Sequence, residues 1–331
     1  MNEALEQKDK LSPTDKGRGC ALFHDPFLQK HRTGRGHPEQ PLRTARVFRE
    51  IKESGLLDQV GRIEAVPCSE KSLQMAHEKA YLDQAKKDVH QGLSTLSTGD
   101  TNVSGDSWEV ARRATGGVLE AVEQVLGGKL KRAFCLTRPP GHHATPNKGM
   151  GFCIFNHVAI AARYAQRKHG VGKVLVVDWD VHHGNGTQDV FYEDPSVFFL
   201  SSHQSPWYPG TGSREETGKG KGLGSTLNFP FPSGAGRKEI VDGAFGLDLG
   251  KKMQAFRPEL ILVSAGFDSR MGDPLGQFRL LDEDFGSLTK IIMDLAKEHC
   301  DGKVVSVLEG GYDLNGLAKA SLAHLSVLAN G

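Results

Sequence analysis

Apolar positions along the chain fall into two alternating rhythms. Short runs rich in β-branched and aromatic residues occur at Ala133 to Thr137, Lys173 to Asp180, Val197 to Ser201, Ser225 to Phe229, Glu259 to Gly266 and Lys303 to Gly311. Several are nearly all apolar, as strands are when helices cover both faces of a parallel sheet. Between them, apolar residues three and four apart predict helices over Trp108 to Leu126, Phe155 to His169, Arg237 to Phe256, Asp282 to Cys300 and Leu314 to Leu328. Further helices are expected at Leu42 to Ser54 and Leu73 to His90, on the outside of the fold. The alternation predicts α/β architecture: a single doubly wound domain over residues 19–331, with a mostly parallel multi-stranded sheet and helices on both faces. Residues 1–18 are polar and read as a mobile tail.

Polar and glycine-rich residues gather just after the apolar runs: RPPGHHA, DWDVHHGNG, SSHQ, AGFDSRMGDP and EGGYD. Ligands of open α/β sheets bind beyond the carboxyl ends of the strands. Five such ends carrying His, Asp, Ser and Tyr therefore point to one shared rim.

Charge and cysteine content narrow the setting. Forty-one basic residues against forty acidic ones leave a net charge of +1, so no global field draws the chain to nucleic acid or an anionic membrane. The five cysteines are scattered, with no CxxC pair, which favours a reducing compartment over a disulfide framework or a thiolate zinc site. The start of the chain carries acids and reads as neither signal nor transit peptide, and no apolar run approaches the roughly 20 residues that span a bilayer. A cytoplasmic protein is expected.

Asp180 and His182 close the strongest predicted strand. Side chains at i and i+2 of a strand share a face, so both can reach one ion. Asp268, at the end of another strand, supplies a third ligand. Two carboxylates and an imidazole suit Zn²⁺, Fe²⁺ or Mn²⁺ and leave a coordination position open for water. Adjacent side chains of an extended segment face opposite ways, so His183 is expected to point away as a structural residue. His142 and His143 follow the stiff turn Arg138-Pro139-Pro140-Gly141, and Tyr312 sits in a glycine-flanked turn. Amide hydrolysis needs a base, an acid and a donor to the oxyanion, roles these three side chains can fill.

RPPGHHA, GFCIFNH, DWDVHHGNGTQ, YPGTG, SAGFDSRMGDPLG and LEGGYD, in this order and with the earlier HPEQPLR, resemble the zinc-dependent histone deacetylase and acetylpolyamine amidohydrolase superfamily, most of all its class II branch. The resemblance runs from about Cys20 to the end of the chain. It implies an arginase/deacetylase-like fold and a Zn²⁺ held by Asp180, His182 and Asp268. His143 would be the main general base and then acid, with His142 as electrostatic partner. Asp178 would back His142, and Asn185 would back His143, where class I enzymes carry aspartate. Tyr312 would donate to the oxyanion, against the weakly active class IIa branch, which has histidine there. Gly151, Phe152 and Tyr208 would line a tunnel for the lysine methylenes. A structural K⁺ would lie near Asp178, Asp180, His182, Ser201 and Ser202, held mostly through backbone carbonyls.

Two positions depart from the pattern or divide its members. His157 stands where the family usually has asparagine, outside the expected metal ligands. Leu275 stands where polyamine-selective class II relatives carry glutamate, which favours acetyl-lysine or another neutral-tailed acetamide. Asp100 matches a rim residue that contacts the substrate backbone, but a site for a cationic amine or a solvated loop acid fits it as well. The leading expectation is deacetylation of acetyl-lysine in proteins; the alternatives are an acetylpolyamine or small-acetamide deacetylase, and an inert scaffold that binds acyl-lysine. A two-metal ureohydrolase fits the DVHHGNG and tyrosine segments less well. Substrates are thus acetylated proteins or small acetylated amines, with no nucleic acid or membrane partner and with a homo-oligomer left open.

Overall fold

A computed structural model describes residues 19–331; the segment expected to be a tail, 1–18, lies outside the described residues. Eight strands form one sheet in the order β2-β1-β3-β8-β7-β4-β5-β6, and every neighbouring pair is parallel. They are β1 (Cys20–Phe23), β2 (Gly61–Ile63), β3 (Arg132–Cys135), β4 (Val174–Asp178), β5 (Val197–Gln204), β6 (Thr226–Phe231), β7 (Leu260–Ala265) and β8 (Val304–Leu308). The six expected strands are all present. The two missed ones, β1 and β2, have only four and three residues, too few to show a period.

The central strands alternate between two cores. Val174 and Val176 of β4 join one cluster, and Leu175 and Val177 join the other. On the first face lie α3 (Lys79–His90), α4 (Ser107–Leu126) and α5 (His157–His169), after a single turn of helix, α2 (Glu70–Leu73). The second face carries α1 (Leu42–Glu53), α7 (Gly250–Phe256), α8 (Asp282–His299) and α9 (Leu314–Asn330). The short α6 (Asn185–Phe191) follows β4 and was not anticipated. No helix among the described residues is long and apolar enough to cross a membrane.

Two helical expectations need correction. Leu73 to His90 is not one helix: α2 stops at Leu73, and α3 starts only at Lys79, because the Glu78 amide is diverted to the Pro146 carbonyl at 2.7 Å. Arg237 to Phe256 divides into a π-helix at Lys238–Leu249 and α7. Gly243, Gly246 and Gly250 weaken the α preference of that run.

A wholly buried ionic cluster ties the first helix to the loops beyond β3 and β8. Glu39 takes Arg138 Nε at 2.7 Å and Nη2 at 3.0 Å, a bidentate pair, together with Arg43 Nη1 at 3.3 Å. Arg138 Nη1 donates to the carbonyls of Leu28 and His31, and Arg43 donates to those of Gly311 and Glu309. Burial opposes ionisation of Glu39, yet Arg138, His31 and Arg43 outweigh it and hold its carboxyl below the usual range. One carboxylate thus sets the positions of both the RPPGHH turn and the EGGY turn. Removing one partner of a buried ion pair strands the other charge, so Glu39→Gln should destabilise the protein by about 3–5 kcal/mol. Urea unfolding followed by circular dichroism measures this; a loss within about 0.5 kcal/mol, typical of a surface change, would show that the cluster does not brace the fold.

Candidate active site

Parallel register aligns the ends of three adjacent strands. Asp178 on β4 pairs with Ser264 on β7 and Ser201 on β5, so the residues that follow leave the sheet at one level. Asp180, His182 and Asp268 then meet, each with a potential ligand atom within 4.8 Å of the others, all buried. His182 Nδ1 lies 3.0 Å from Asp180 Oδ1 and 3.2 Å from Asp268 Oδ2. Backbone amides fix both carboxylates: Gly310 N donates to Asp180 Oδ2 at 2.8 Å, and Val181 N donates to Asp268 Oδ1 at 2.9 Å. A side chain at Gly310 would put its Cβ 2.1 Å from Asp268 Oδ2, so only glycine lets the β8 turn pass this close.

This donor set fits a divalent cation. Asp268 Oδ2 is buried with no well-aligned hydrogen bond, its near neighbour being the His182 imidazole at 3.2 Å, a costly state for a carboxylate oxygen unless an ion takes it up. The electrostatics agree. Burial disfavours the His182 imidazolium, but hydrogen bonding to Asp180 and Asp268 pushes its pKa up to about 10. Burial and the charge of Asp180 raise Asp268 to about 7. Without an ion, protons gather where positive charge is needed.

The two histidines of RPPGHHA sit beside this triad with rings 4.0 Å apart. His142 Nδ1 lies 2.9 Å from Asp178 Oδ2, and His143 Nδ1 lies 2.8 Å from Asn185 Oδ1. A proton on each Nδ1 satisfies both contacts and leaves each Nε2 free to exchange one. Their surroundings push them apart. Burial opposes a charge on His142, yet Asp180 and Asp178 hold its pKa well above the usual imidazole value. Burial, with the charges of His142 and His182, holds His143 well below it.

A cavity of about 380 Å³ opens onto this chemistry, lined by Asp100, His143, Gly151, Phe152, His182, Trp207, Tyr208, Pro274, Leu275 and Tyr312. The residues expected at the base, wall and rim therefore face one space. A Cβ on Gly151 would lie 2.3 Å from the His143 ring, and Gly151 and Phe152 both have positive φ, at 56° and 68°. Tyr208 stands edge-on to His143, with ring centres 5.2 Å apart. Asp100 is already engaged: Gly151 N donates to Oδ1 at 2.8 Å, and the Tyr208 hydroxyl donates to Oδ2 at 3.2 Å. Burial raises the Tyr312 pKa well above that of a free phenol, so its hydroxyl remains a donor.

Other expected residues fall into place away from the cavity. His183 bonds Thr211 and Gln188, facing away from the triad. His157 lies 3.0 Å from both Thr115 Oγ1 and the Pro139 carbonyl, so it props the RPPG turn and approaches no metal ligand. Ser201 and Ser202 lie on β5 beside Asp178; Ser201 Oγ contacts His203, and Ser202 Oγ is buried without a partner.

Two important acids escaped sequence reasoning although both lie inside quoted motifs. Glu309 Oε2 accepts from the successive amides of Gly141 at 2.6 Å and His142 at 3.1 Å, fixing the histidine turn from below. Asp273 Oδ2 accepts from the amides of Tyr312 at 2.6 Å and Asp313 at 3.1 Å, while Oδ1 takes Leu275 N at 2.9 Å. Spacing carries no sign of either role, since both acids bind backbone far away in the chain.

Comparison with known proteins matches residues 37–328 to the family described as Histone deacetylase domain. Histone deacetylase 14, chloroplastic, of Arabidopsis thaliana is 43% identical over 254 residues, which are 74% of this chain and 60% of that protein. A probable deacetylase of Archaeoglobus fulgidus is 35% identical over 304 residues, 89% of this chain and 81% of its own. The crystal structure of the HDA15 HD domain superposes with a TM-score of 0.89 at 34% identity, covering 94% of this chain and 89% of that one. The chain spans about 60% of the length of the chloroplastic relatives it matches. It belongs to the histone deacetylase domain family, on the class II-like side.

Proposed function

We propose that residues 19–331 act as one catalytic domain that hydrolyses N-acetyl amides, with acetyl-lysine in proteins as substrate. The observation that carries this reading is the meeting, at the floor of one cavity, of a carboxylate–imidazole–carboxylate triad, two differently tuned histidines and a tyrosine hydroxyl. Asp180, His182 and Asp268 would hold Zn²⁺, with Fe²⁺ as the alternative ion. When bound, the ion polarises the acetyl carbonyl and acidifies a water.

The protein's own groups do the rest. His143, kept neutral at rest, takes the proton of the attacking water at Nε2 and later delivers it to the leaving amine. Asn185 fixes its tautomer without adding the negative charge that an aspartate would. His142, whose Nδ1 is bonded to Asp178, lies beside His143 as its electrostatic partner. Tyr312 donates its hydroxyl to the developing oxyanion. Gly151, Phe152 and Tyr208 guide a slender aliphatic chain, and Leu275 and Pro274 make the rim apolar. The apolar Leu275 and Pro274 at that rim support acetyl-lysine over a polyamine. The family resemblance implies a structural K⁺ near Asp178, Asp180, His182, Ser201 and Ser202, held mostly through backbone carbonyls; the unpartnered Ser202 Oγ supports it. Five unpaired cysteines support a reducing compartment such as the cytoplasm.

Four outcomes test this reading. Tyr312→Phe should lower kcat on an acetyl-lysine peptide on the order of 10²–10³-fold with the fold intact; an unchanged rate would remove the oxyanion role. Chelation should lower the Tm of the zinc-loaded protein and zinc should restore it, a stabilisation of about 2.7 kcal/mol at a free-ion concentration about 100 times Kd. Asp268→Asn should abolish that zinc-dependent gain; a variant that kept it would exclude Asp268 as a ligand. Finally, kcat/KM should be higher on an acetyl-lysine peptide than on acetylputrescine, and a strong preference for the polyamine would overturn the substrate assignment.

A further inference from the structure

The loop that leads into α1, residues 31–37, reads HRTGRGH, and its burial alternates along that sequence. His31 and Thr33 point inward: His31 Nδ1 lies 2.7 Å from Ser107 Oγ, and the Thr33 hydroxyl donates to the Glu39 carbonyl. Arg32 and Arg35 face solvent. Gly34 and Gly36 have positive φ, at 101° and 78°, and a Cβ on either would meet nothing within 4 Å, so the tip stands clear of the body. The root is firm, because Arg138 donates to the His31 carbonyl and the Arg32 amide donates to Ser104 Oγ at 3.0 Å. The far end lies at the cavity mouth. Glu39 N donates to His37 Nδ1 at 3.0 Å, and the His37 ring stands edge-on to Phe152 with centres 4.7 Å apart. Arg35 is two residues from that contact, within about 8 Å along the backbone.

Neither guanidinium has a hydrogen-bond or ion-pair partner among the described residues. Asp106, the exposed acid nearest in sequence to Ser104, lies beyond ion-pair distance of both. Lys148 Cε would lie 3.2 Å from a Cβ on Gly99, so Lys148 and Asp100 set one charge of each sign side by side. Another part of the rim, formed by Trp207, Pro274 and Leu275, carries no charge. Arg32 and Arg35 are therefore the uncompensated cations beside the mouth. We propose that they are specificity-determining residues, selecting acetyl-lysine sites that carry carboxylate side chains on one flank, two to four residues from the acetylated lysine.

This inference rests on the deacetylase reading and names the substrate class within it. An extended peptide advances about 3.3–3.6 Å per residue, so residues two to four from the tunnel pass about 7–14 Å from its axis, where the loop stands. A guanidinium matches a carboxylate with two parallel hydrogen bonds, which favours acidic side chains over other neighbours. Nucleic acid fits less well: two cations on a chain of net charge +1 fall short of the roughly six to ten phosphate contacts that a typical complex uses. Exposed pairs are individually weak and screened by salt. Their effect falls on encounter and binding and leaves the chemistry at the cavity floor alone.

The test compares amidated acetyl-lysine peptides on the zinc-loaded full chain: one with two glutamates before the acetyl-lysine, one with two after it, and the glutamine isomer of each. One glutamate peptide should exceed its isomer in kcat/KM by about three- to tenfold at low salt, mostly through KM, and the gap should close at about 0.5 M salt. In Arg32→Gln/Arg35→Gln that ratio should fall to near one. In Arg32→Glu/Arg35→Glu a lysine-flanked peptide should become the better substrate. The ratio cancels any loss that a disturbed loop imposes on both peptides alike. The proposal is overturned if the parent ratio is near one or if the glutamine double variant keeps it. It is equally overturned if both flanks gain alike, since a diffuse field and not this loop would then act. A short DNA duplex that binds the parent more tightly than the glutamate peptide, and loses that affinity in the glutamine double variant, would overturn it in favour of a phosphate site. Fluorescence anisotropy of the labelled peptides, read in the slow Tyr312→Phe background, repeats the comparison without turnover. A parent protein that turns over none of the peptides would refute the deacetylase reading alone, and the anisotropy ratio would still decide the arginines.

Discussion

Buried negative charge at the ends of three adjacent strands is the constraint on which the rest of the site depends. Asp178, Asp180, Asp268 and Glu309 are all fully buried, where β4, β7 and β8 leave the sheet side by side. Four carboxylates cannot share such a space unless positive charge and hydrogen-bond donors are brought to them. The protein supplies amides from Gly141, His142, Asp180, Val181, His182 and Gly310, and imidazoles from His142 and His182. Asp268 Oδ2 still lacks a well-aligned donor, with only the shared His182 imidazole at 3.2 Å. That residual deficit supports the assignment of a cation more strongly than the presence of ligand-type residues does, because clusters of acids are common and a buried carboxylate with so few donors is not.

The same constraint explains why neighbouring histidines behave differently. His142 faces two of the buried acids and is drawn toward the charged form, whereas His143 has the neutral amide of Asn185 as its hydrogen-bond partner and is held in the uncharged form by burial and the charges of His142 and His182. A cation bound at the triad would offset part of the field that acts on His142, since Asp180 belongs to both sites. The contrast in partners, acid against amide, survives that change. Asp178 therefore has two tasks: it carries the sheet register that sets the level of the site, and it orients one of the two imidazoles.

Much of this was legible in the sequence because strand ends are local. The apolar runs located β3 to β8, and the polar residues immediately after them located the triad, since i and i+2 positions obey a rule that needs no tertiary information. The short strands β1 and β2 lack that redundancy and were missed. So was the break between α2 and α3, whose cause is the Pro146 carbonyl some 70 residues away. Glu309, Asp273 and Glu39 form a third kind of omission. Each was visible as a letter inside a motif, yet Glu309 and Asp273 bind backbone amides of another segment and Glu39 binds the Arg138 guanidinium, and such partners become apparent only when the chain is folded.

Chemistry and selectivity accordingly rest on different parts of the molecule. The proposed proton-handling and metal-binding groups sit on strand ends whose positions the sheet and the Glu39 cluster determine, so they have little freedom to vary. The mouth is made of loops, and its geometry depends on a few exposed contacts centred on Asp100, Tyr208, Trp207 and Leu275. A sheet can tolerate change in such loops without losing the site beneath, which is why binding differences concentrate there. Leu275 illustrates the division. It leaves the floor of the cavity untouched, but it makes the rim apolar at its position, which supports the proposed preference for a neutral-tailed acetamide. Among the described residues that line the cavity, Asp100 is the acid at the entrance, where it accepts from the Gly151 amide and the Tyr208 hydroxyl, so charge at the mouth sits on the loops and not on the sheet.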